Sequence, residues 1–270
     1  MKQMKSMYTI PRIIKSLRIL ITGKPHERRR LRHEFARITA GLFGDFYLGD
    51  DHKIWRDDHA FIEQFKKLSP HNLYSMERKW TVREFVLWTN YLEGDIAECG
   101  SYVGVTAWYI ASVTQPDVNI YLFDSFEGLS EPTDKDAIES IDVHTWEKGD
   151  MAATEKELRH NLSEFKNIHI MKGWLPERFP EVNSHQFRLV HIDVDLYEPT
   201  LHSLEFFYPR LVSNGVIIMD DYGYKTCPGA YRAANQYAKK IGEQIIHLPT
   251  GQGLIIRRNL TDVPIENTTN

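Results

Sequence analysis

Four aspartates close two short apolar runs of this chain. Asp193 and Asp195 lie in His191-Ile192-Asp193-Val194-Asp195-Leu196-Tyr197-Glu198, and Asp220 and Asp221 lie in Ile217-Ile218-Met219-Asp220-Asp221-Tyr222. Carboxylates brought together at the carboxyl ends of neighbouring strands repel, so either some are protonated or a divalent cation neutralises them. With oxygen donors and no clustered Cys or His, that cation would be hard: Mg²⁺ first, with Ca²⁺ or Mn²⁺ as alternatives. Helix capping explains one aspartate per strand but not two pairs.

A second constellation precedes them, Glu98-Cys99-Gly100-Ser101-Tyr102-Val103-Gly104, where an apolar run gives way to a helical pattern. Glycines there let backbone approach a ligand closely. A dinucleotide fingerprint needs G-x-G-x-x-G, yet the third and sixth positions from Gly100 are Tyr102 and Val105, which disfavours a nicotinamide oxidoreductase. The next strand ends at Asp124, at the distance expected of a carboxylate that holds the two hydroxyls of an adenosine ribose. Taken singly, a glycine can simply end a strand and an aspartate can cap a helix.

The elements that would position these residues alternate. Strands are expected over Asp95 to Cys99, Asn119 to Asp124, Ile168 to Lys172, Arg188 to Asp193, Val216 to Asp220, Gln244 to Leu248 and Leu254 to Arg257. Between them run helical patterns, such as Ala230, Ala233, Ala234, Tyr237, Ala238 and Ile241 on one face, and Pro199 opening a helix with Leu201, Leu204 and Phe207. The fold class is therefore α/β, a doubly wound, Rossmann-like, seven-stranded sheet. Only Pro249 to Gly253 separates the last two strands, so the mostly parallel sheet should end in an antiparallel hairpin. The polar stretch from Phe126 to Ala153 has no strand pattern and reads as a lid.

Length and composition fit one enzyme-sized domain with an appendage: 270 residues, 42% apolar, 26% charged and net charge −4. Residues 1–74 are expected to form a helical extension, 75–258 the catalytic domain and 259–270 a tail. No uncharged apolar run is long enough to cross a bilayer, and no signal peptide is evident. The chain is read as cytoplasmic. Cys99 and Cys227 are the two cysteines and lie far apart, which excludes a disulfide framework or a cysteine zinc site. Eleven Lys and Arg against two Glu make the first 37 residues +9, and isoleucines and leucines recur there at helical spacing. Such an arm could lie peripherally on an anionic membrane, at its inner face, or pack on its own domain or a second subunit; a homo-oligomer is expected. With the rest of the chain acidic and little aromatic interleaving among the arginines, nucleic acid is not expected as a partner.

From about Ser75 to Arg258 the sequence resembles the macrocin O-methyltransferase family of class I S-adenosylmethionine-dependent methyltransferases. The resemblance rests on an ordered series: Asp124-Ser125-Phe126-Glu127-Gly128-Leu129, His144-Thr145-Trp146-Glu147-Lys148-Gly149-Asp150, Gly173-Trp174, Asp193 to Glu198, and Asp220-Asp221-Tyr222. The family usually has Gly where Val194 stands, and Arg-Gly-Gly where Tyr102-Val103-Gly104 stands. The resemblance implies transfer of a methyl group from S-adenosylmethionine, with Mg²⁺, to a hydroxyl of a sugar or glycoconjugate acceptor. A phenolic acceptor and a metal-independent cofactor-binding scaffold of the same fold are the alternatives.

Carried over by position, the resemblance implies that Glu98, Gly100, Ser101 and Gly104 line the methionine side of the cofactor and that Asp124 and Ser125 hold its ribose. Trp146, Gly173 and Trp174 would border the adenine, and Ser75-Met76 would reach over the cofactor, although Ser75 could equally cap a helix. Asp193, Asp220 and Asp221 would bind the metal. A sugar hydroxyl is barely ionised at neutral pH, so transfer needs a base and in-line alignment. Asp193 is the first candidate for the base and His144 the second.

Overall fold

The computed structural model describes residues 10–40, 53–69, 75–138 and 146–258. The chain divides into two compact units, Met1–Lys67 and Leu68–Asn270. In the first, helix α1 (Ile10–Thr22) stops at Gly23, and Pro25 opens α2 (Pro25–Ala40), where its missing N–H costs nothing. Asp57 in the turn that follows accepts hydrogen bonds from Arg29 at 3.2 Å and from Arg30. Helix α3 (His59–Leu68) buries Phe61, Ile62 and Phe65.

The second unit is a seven-stranded sheet. Its strands are β1 (Asp95–Cys99), β2 (Ile120–Asp124), β3 (Ile168–Lys172), β4 (Phe187–Ile192), β5 (Leu211–Met219), β6 (Ile246–His247) and β7 (Gly253–Ile256). They lie in the order β3-β2-β1-β4-β5-β7-β6. All neighbours are parallel except β5 with β7 and β6 with β7, so the expected hairpin is present. The predicted strand Gln244 to Leu248 shrinks to the two exposed residues of β6, an edge with a partner on one side only.

Side-chain alternation along the strands builds a core on each face. Ala97, Cys99, Val190, Ile192, Ile217 and Met219 pack on one face against Leu204 and Phe207 of α7 (Tyr197–Phe207) and Ala234 and Tyr237 of α8 (Pro228–Ile241). Ile96, Leu122, Leu189 and Ile218 pack on the other against Val82 and Val86 of α4 (Met76–Thr89) and Ala107 and Ile110 of α5 (Val105–Val113). Leu158 and Leu162, from α6 (Glu155–Asn161) and the residue that caps it, complete that layer. Each buried Val, Leu, Ile, Phe or Met among them contributes about 1.5–3 kcal/mol by burial. The chain order reverses between β1 and β4, which opens a crevice at their carboxyl ends.

The stretch read as a lid is tethered in its described parts. Leu129 N–H donates to Asp150 O at 2.8 Å and Gly149 N–H to Leu129 O at 3.0 Å. Asp136 accepts the Tyr197 N–H at 2.7 Å, which satisfies a free donor at the start of α7. His144 lies outside the described residues.

Candidate active site

The crevice holds a cavity of about 970 Å³, at the upper end of the range of ligand pockets, with room for a cofactor and an acceptor. Its floor is the turn after β1. Gly100 adopts φ +82°, and an added Cβ would overlap the carbonyl oxygen of Asp193. The tight fit comes from the residue after β4, Asp193, whose N–H donates to Cys99 O at 2.9 Å. Gly100 is thus required both by its conformation and by its neighbour.

Asp124 at the end of β2 holds this turn. Its Oδ2 accepts Ser101 N–H at 2.9 Å and Tyr102 N–H at 2.8 Å, and its Oδ1 accepts Phe126 N–H at 2.7 Å. Three of roughly four acceptor positions on the carboxylate are therefore taken by backbone. Asp124 lines the cavity, but its own contacts fix the shape of the loop. The Ser125 hydroxyl donates to Gly128 O at 3.1 Å and accepts Glu127 N–H at 3.0 Å. An Asp124→Ala variant should lose S-adenosylmethionine affinity by about 10–100-fold, the worth of charged hydrogen bonds in a buried setting. Asp124→Asn should fall between the two, and calorimetry that finds undiminished affinity in both removes Asp124 from the site.

Two buried oxygens flank Gly100 without a hydrogen-bond partner among the described residues: Glu98 Oε2 and Ser101 Oγ. Ser101 lines the cavity, and its hydroxyl suits a polar group of a ligand seated on the turn, whereas Glu98 Oε2 lies beneath the wall. The residues present thus fit a bound S-adenosylmethionine.

Of the other residues expected around the cofactor, Ser75, Trp146 and Trp174 line the cavity. The Ser75 side chain makes no capping hydrogen bond to α4. Glu98, Met76, Gly104 and Gly173 are not wall residues. Glu98 is buried on the α4 side of the sheet, and its Oε1 pairs with His191 Nδ1 at 3.0 Å. Burial pushes Glu98 up, against the His191 hydrogen bond. Met76 is core, Gly104 starts α5 against Leu162, and Gly173 makes space for the Arg178 side chain.

The aspartates divide differently from the expectation. Asp193 and Asp220 come together with His191, whereas Asp221 groups with Asp195 and Cys227; the trio Asp193, Asp220 and Asp221 does not form one ligand-sized cluster. Asp220 is fully buried, and both its oxygens are engaged. Oδ2 pairs with Arg78 Nη1 and lies 3.5 Å from Lys79 Nζ; Oδ1 accepts from Gln252 Nε2 at 2.7 Å and lies 3.3 Å from His191 Nε2. Lys79 Nζ is also 3.5 Å from Asp193 Oδ2. Asp221 Oδ2 accepts Asp195 N–H at 3.0 Å, and Asp195 Oδ1 accepts from the Cys227 thiol at 3.3 Å. As arranged, these residues do not fit a divalent cation held by Asp193, Asp220 and Asp221.

The electrostatics follow from that division. Burial would raise Asp220, but Lys79, the His191 hydrogen bond and Arg78 together hold it well below the usual carboxylate range. Burial would lower His191, but its hydrogen bonds to Asp220 and Glu98 carry it up to about 9. Asp195 is pushed up to about 7 by burial and by Asp193. Burial and then Asp195 push Asp221 well above its ordinary value.

The sequence reading missed Arg78, Lys79, His191 and Gln252. A signal was available for one of them. Lys79 shares its helix stripe with Met76, Val82 and Val86, all core residues, and a lysine on a core stripe demands a buried partner.

Residues 76–252 match the family described as Macrocin-O-methyltransferase (TylF). The 8-demethyl-8-(2,3-dimethoxy-alpha-L-rhamnosyl)-tetracenomycin-C 4'-O-methyltransferase of Streptomyces olivaceus is 27% identical over 147 residues, 51% of this chain. The match spans only 56% of that relative's length. The mycinamicin III 3''-O-methyltransferase of Micromonospora griseorubida is 24% identical over 179 residues, 62% of this chain and 69% of its own. The solved structure of the O-methyltransferase NovP superposes with a TM-score of 0.59 at 20% identity, over 74% of this chain and 98% of its own.

Proposed function

The chain belongs to the macrocin O-methyltransferase family, and from that membership we propose that it transfers the methyl group of S-adenosylmethionine to a hydroxyl of a sugar or glycoconjugate. The observation that carries the reading is that one cavity is walled both by the Gly100–Ser101 turn, with its unpartnered Ser101 hydroxyl, and by the Asp193 carboxylate. When bound, the cofactor supplies an electrophilic methyl on a sulfonium. The turn and Asp124 fix where that methyl sits; Asp193 accepts the proton of the attacking hydroxyl as the new C–O bond forms and the C–S bond breaks. S-adenosylhomocysteine and the methyl ether are the products.

Two relatives named for rhamnosyl-tetracenomycin and mycinamicin III substrates support a glycosylated acceptor. So does the wall itself, where Trp146 and Tyr224 can stack on a sugar face and Glu198 and His202 can take hydroxyls. A methyl-transfer screen against nucleotide sugars, glycolipids, polysaccharide fragments and catechols, with and without EDTA, tests this. Transfer to a sugar hydroxyl is expected. Transfer to catechols alone would favour the phenolic reading, and failure to bind S-adenosylmethionine would overturn both. The oxygens of Asp220 are already engaged by Arg78, Lys79, Gln252 and His191, so Asp220 has none to offer a divalent cation in this step.

The basic arm adds a second, separate part to the proposal: association with an anionic membrane surface. Ile14, Leu17, Leu20 and Ile21 of α1 are exposed, with the Arg18 side chain exposed beside them. No helix among the described residues is long and apolar enough to cross a membrane. Each basic residue near such a surface is worth about 1 kcal/mol. The full chain should co-sediment with vesicles containing phosphatidylglycerol, and the triple change Ile14→Glu, Leu17→Glu, Ile21→Glu should abolish it. Loss of a dimer by light scattering in that variant, with no vesicle binding by the parent chain, would instead make the arm an assembly element.

A further inference from the structure

We infer that Lys79, aided by Arg78, is the resident cation of this crevice, so that the chain works without a divalent ion among Asp193, Asp220 and Asp221. The inference rests on the methyl-transfer reading and departs from the Mg²⁺ dependence that the sequence resemblance implies.

The argument starts from where Lys79 is rooted. It sits one turn into α4, its N–H bonded to Ser75 O at 3.2 Å, on the stripe that carries Met76, Val82 and Val86 into the core. Its side chain is 8% exposed, so it is not a surface lysine folded over an acidic patch. The ammonium stands 3.5 Å from both Asp193 Oδ2 and Asp220 Oδ2 and so bridges two carboxylates that end neighbouring strands. Arg78, the preceding residue, pairs with the same Asp220 oxygen and lies over the Tyr224 ring, its guanidinium carbon 5.0 Å from the centroid.

A divalent ion has no free place in this arrangement. Mg²⁺ requires carboxylate oxygens at about 2.0–2.1 Å in octahedral geometry and Ca²⁺ at about 2.3–2.6 Å. An ion at that distance from Asp220 Oδ2 would sit against an ammonium and a guanidinium, both fixed on a packed helix. Two positive side chains already balance Asp193 and Asp220. The other two carboxylates are engaged elsewhere: Asp221 Oδ2 accepts the Asp195 N–H, and Asp195 Oδ1 accepts from the Cys227 thiol. Lys79 is therefore a positioning residue. It holds one oxygen of Asp193 beside the cavity and supplies by a monovalent side chain the charge that a metal would bring.

The test uses Mg²⁺ alone as the probe, titrated calorimetrically into the chelator-treated full chain, with thermal unfolding read in the presence and absence of millimolar Mg²⁺. Wild type should give no saturable heat and no shift in Tm. Lys79→Met, close in volume but uncharged, should gain a saturable site and be stabilised by Mg²⁺, and Lys79→Arg should restore the wild-type silence. S-adenosylmethionine binding in each variant shows that the fold survives; if Lys79→Met fails that check, Lys79→Gln replaces it. A stoichiometric Mg²⁺ site in wild type, a Lys79→Met variant as silent as wild type, or a site gained equally by Lys79→Arg would each overturn the inference. Failure of wild type to bind S-adenosylmethionine would instead sink the methyl-transfer reading, whatever Mg²⁺ does.

Discussion

An Asp193→Asn variant should bind S-adenosylmethionine as tightly as the parent chain and lose methyl transfer by about 10²–10⁴-fold, the range in which loss of a general base falls. Asp193 is singled out by exposure: its side chain is 27% accessible at the cavity wall, while Asp220 is fully buried behind it. Asparagine preserves the shape and removes the basicity. Lys79 would keep Asp220 as a partner at 3.5 Å, so the packing beneath should hold. Turnover on an acceptor found in the screen, read beside calorimetric cofactor affinity, separates chemistry from binding. Turnover equal to wild type would remove Asp193 as the base and leave His144 as the next candidate.

The second large effect concerns the turn itself. Gly100→Ala should destabilise the chain by about 2–5 kcal/mol, the sum of a left-handed conformation at a residue with a Cβ and overpacking against a strand. The added carbon would stand 2.8 Å from the Asp193 carbonyl carbon and closer still to its oxygen, and that backbone is held in place by its bond to Cys99. Gly242 provides the control: it has φ +72° at the end of α8, but an added Cβ there meets nothing within 4 Å. Gly242→Ala should therefore cost only about 1–2 kcal/mol, the conformational part alone. Urea midpoints of the two variants measure the difference, and equal midpoints would mean that β1 and β4 can part at no cost. Surviving Gly100→Ala protein should bind S-adenosylmethionine poorly, because the displaced turn carries Ser101.

Much of this was legible from the sequence because it is local. Strands Asp95–Cys99 and Ile168–Lys172 fall where apolar runs meet turn residues, and their bounds agree with expectation to the residue. The α/β alternation, the closing hairpin and the glycine turn after β1 were readable for the same reason: periodicity and backbone permissiveness belong to neighbouring residues. The family's motif order is also a property of the linear chain, and it places Asp124 and Asp193 among the candidate site residues.

What the sequence could not settle was which side each carboxylate faces and what it meets there. Asp220 and Asp221 are adjacent in the chain, so they read as a pair, but successive side chains at a strand end point to opposite faces. Asp220 turns to the α4 side with His191 and Glu98, and Asp221 turns away toward Asp195 and Cys227. Partners are equally out of reach of local reading. Lys79 is 114 residues from Asp193, and Arg78 is 142 from Asp220, and only the packing of α4 on the sheet brings them together. The sequence by itself determined the elements, their order and the residue types available for chemistry. The tertiary structure alone decided that a lysine from one helix lies between Asp193 and Asp220, with the preceding arginine on Asp220, because charge buried on a packed face must be paired by whatever that face presents.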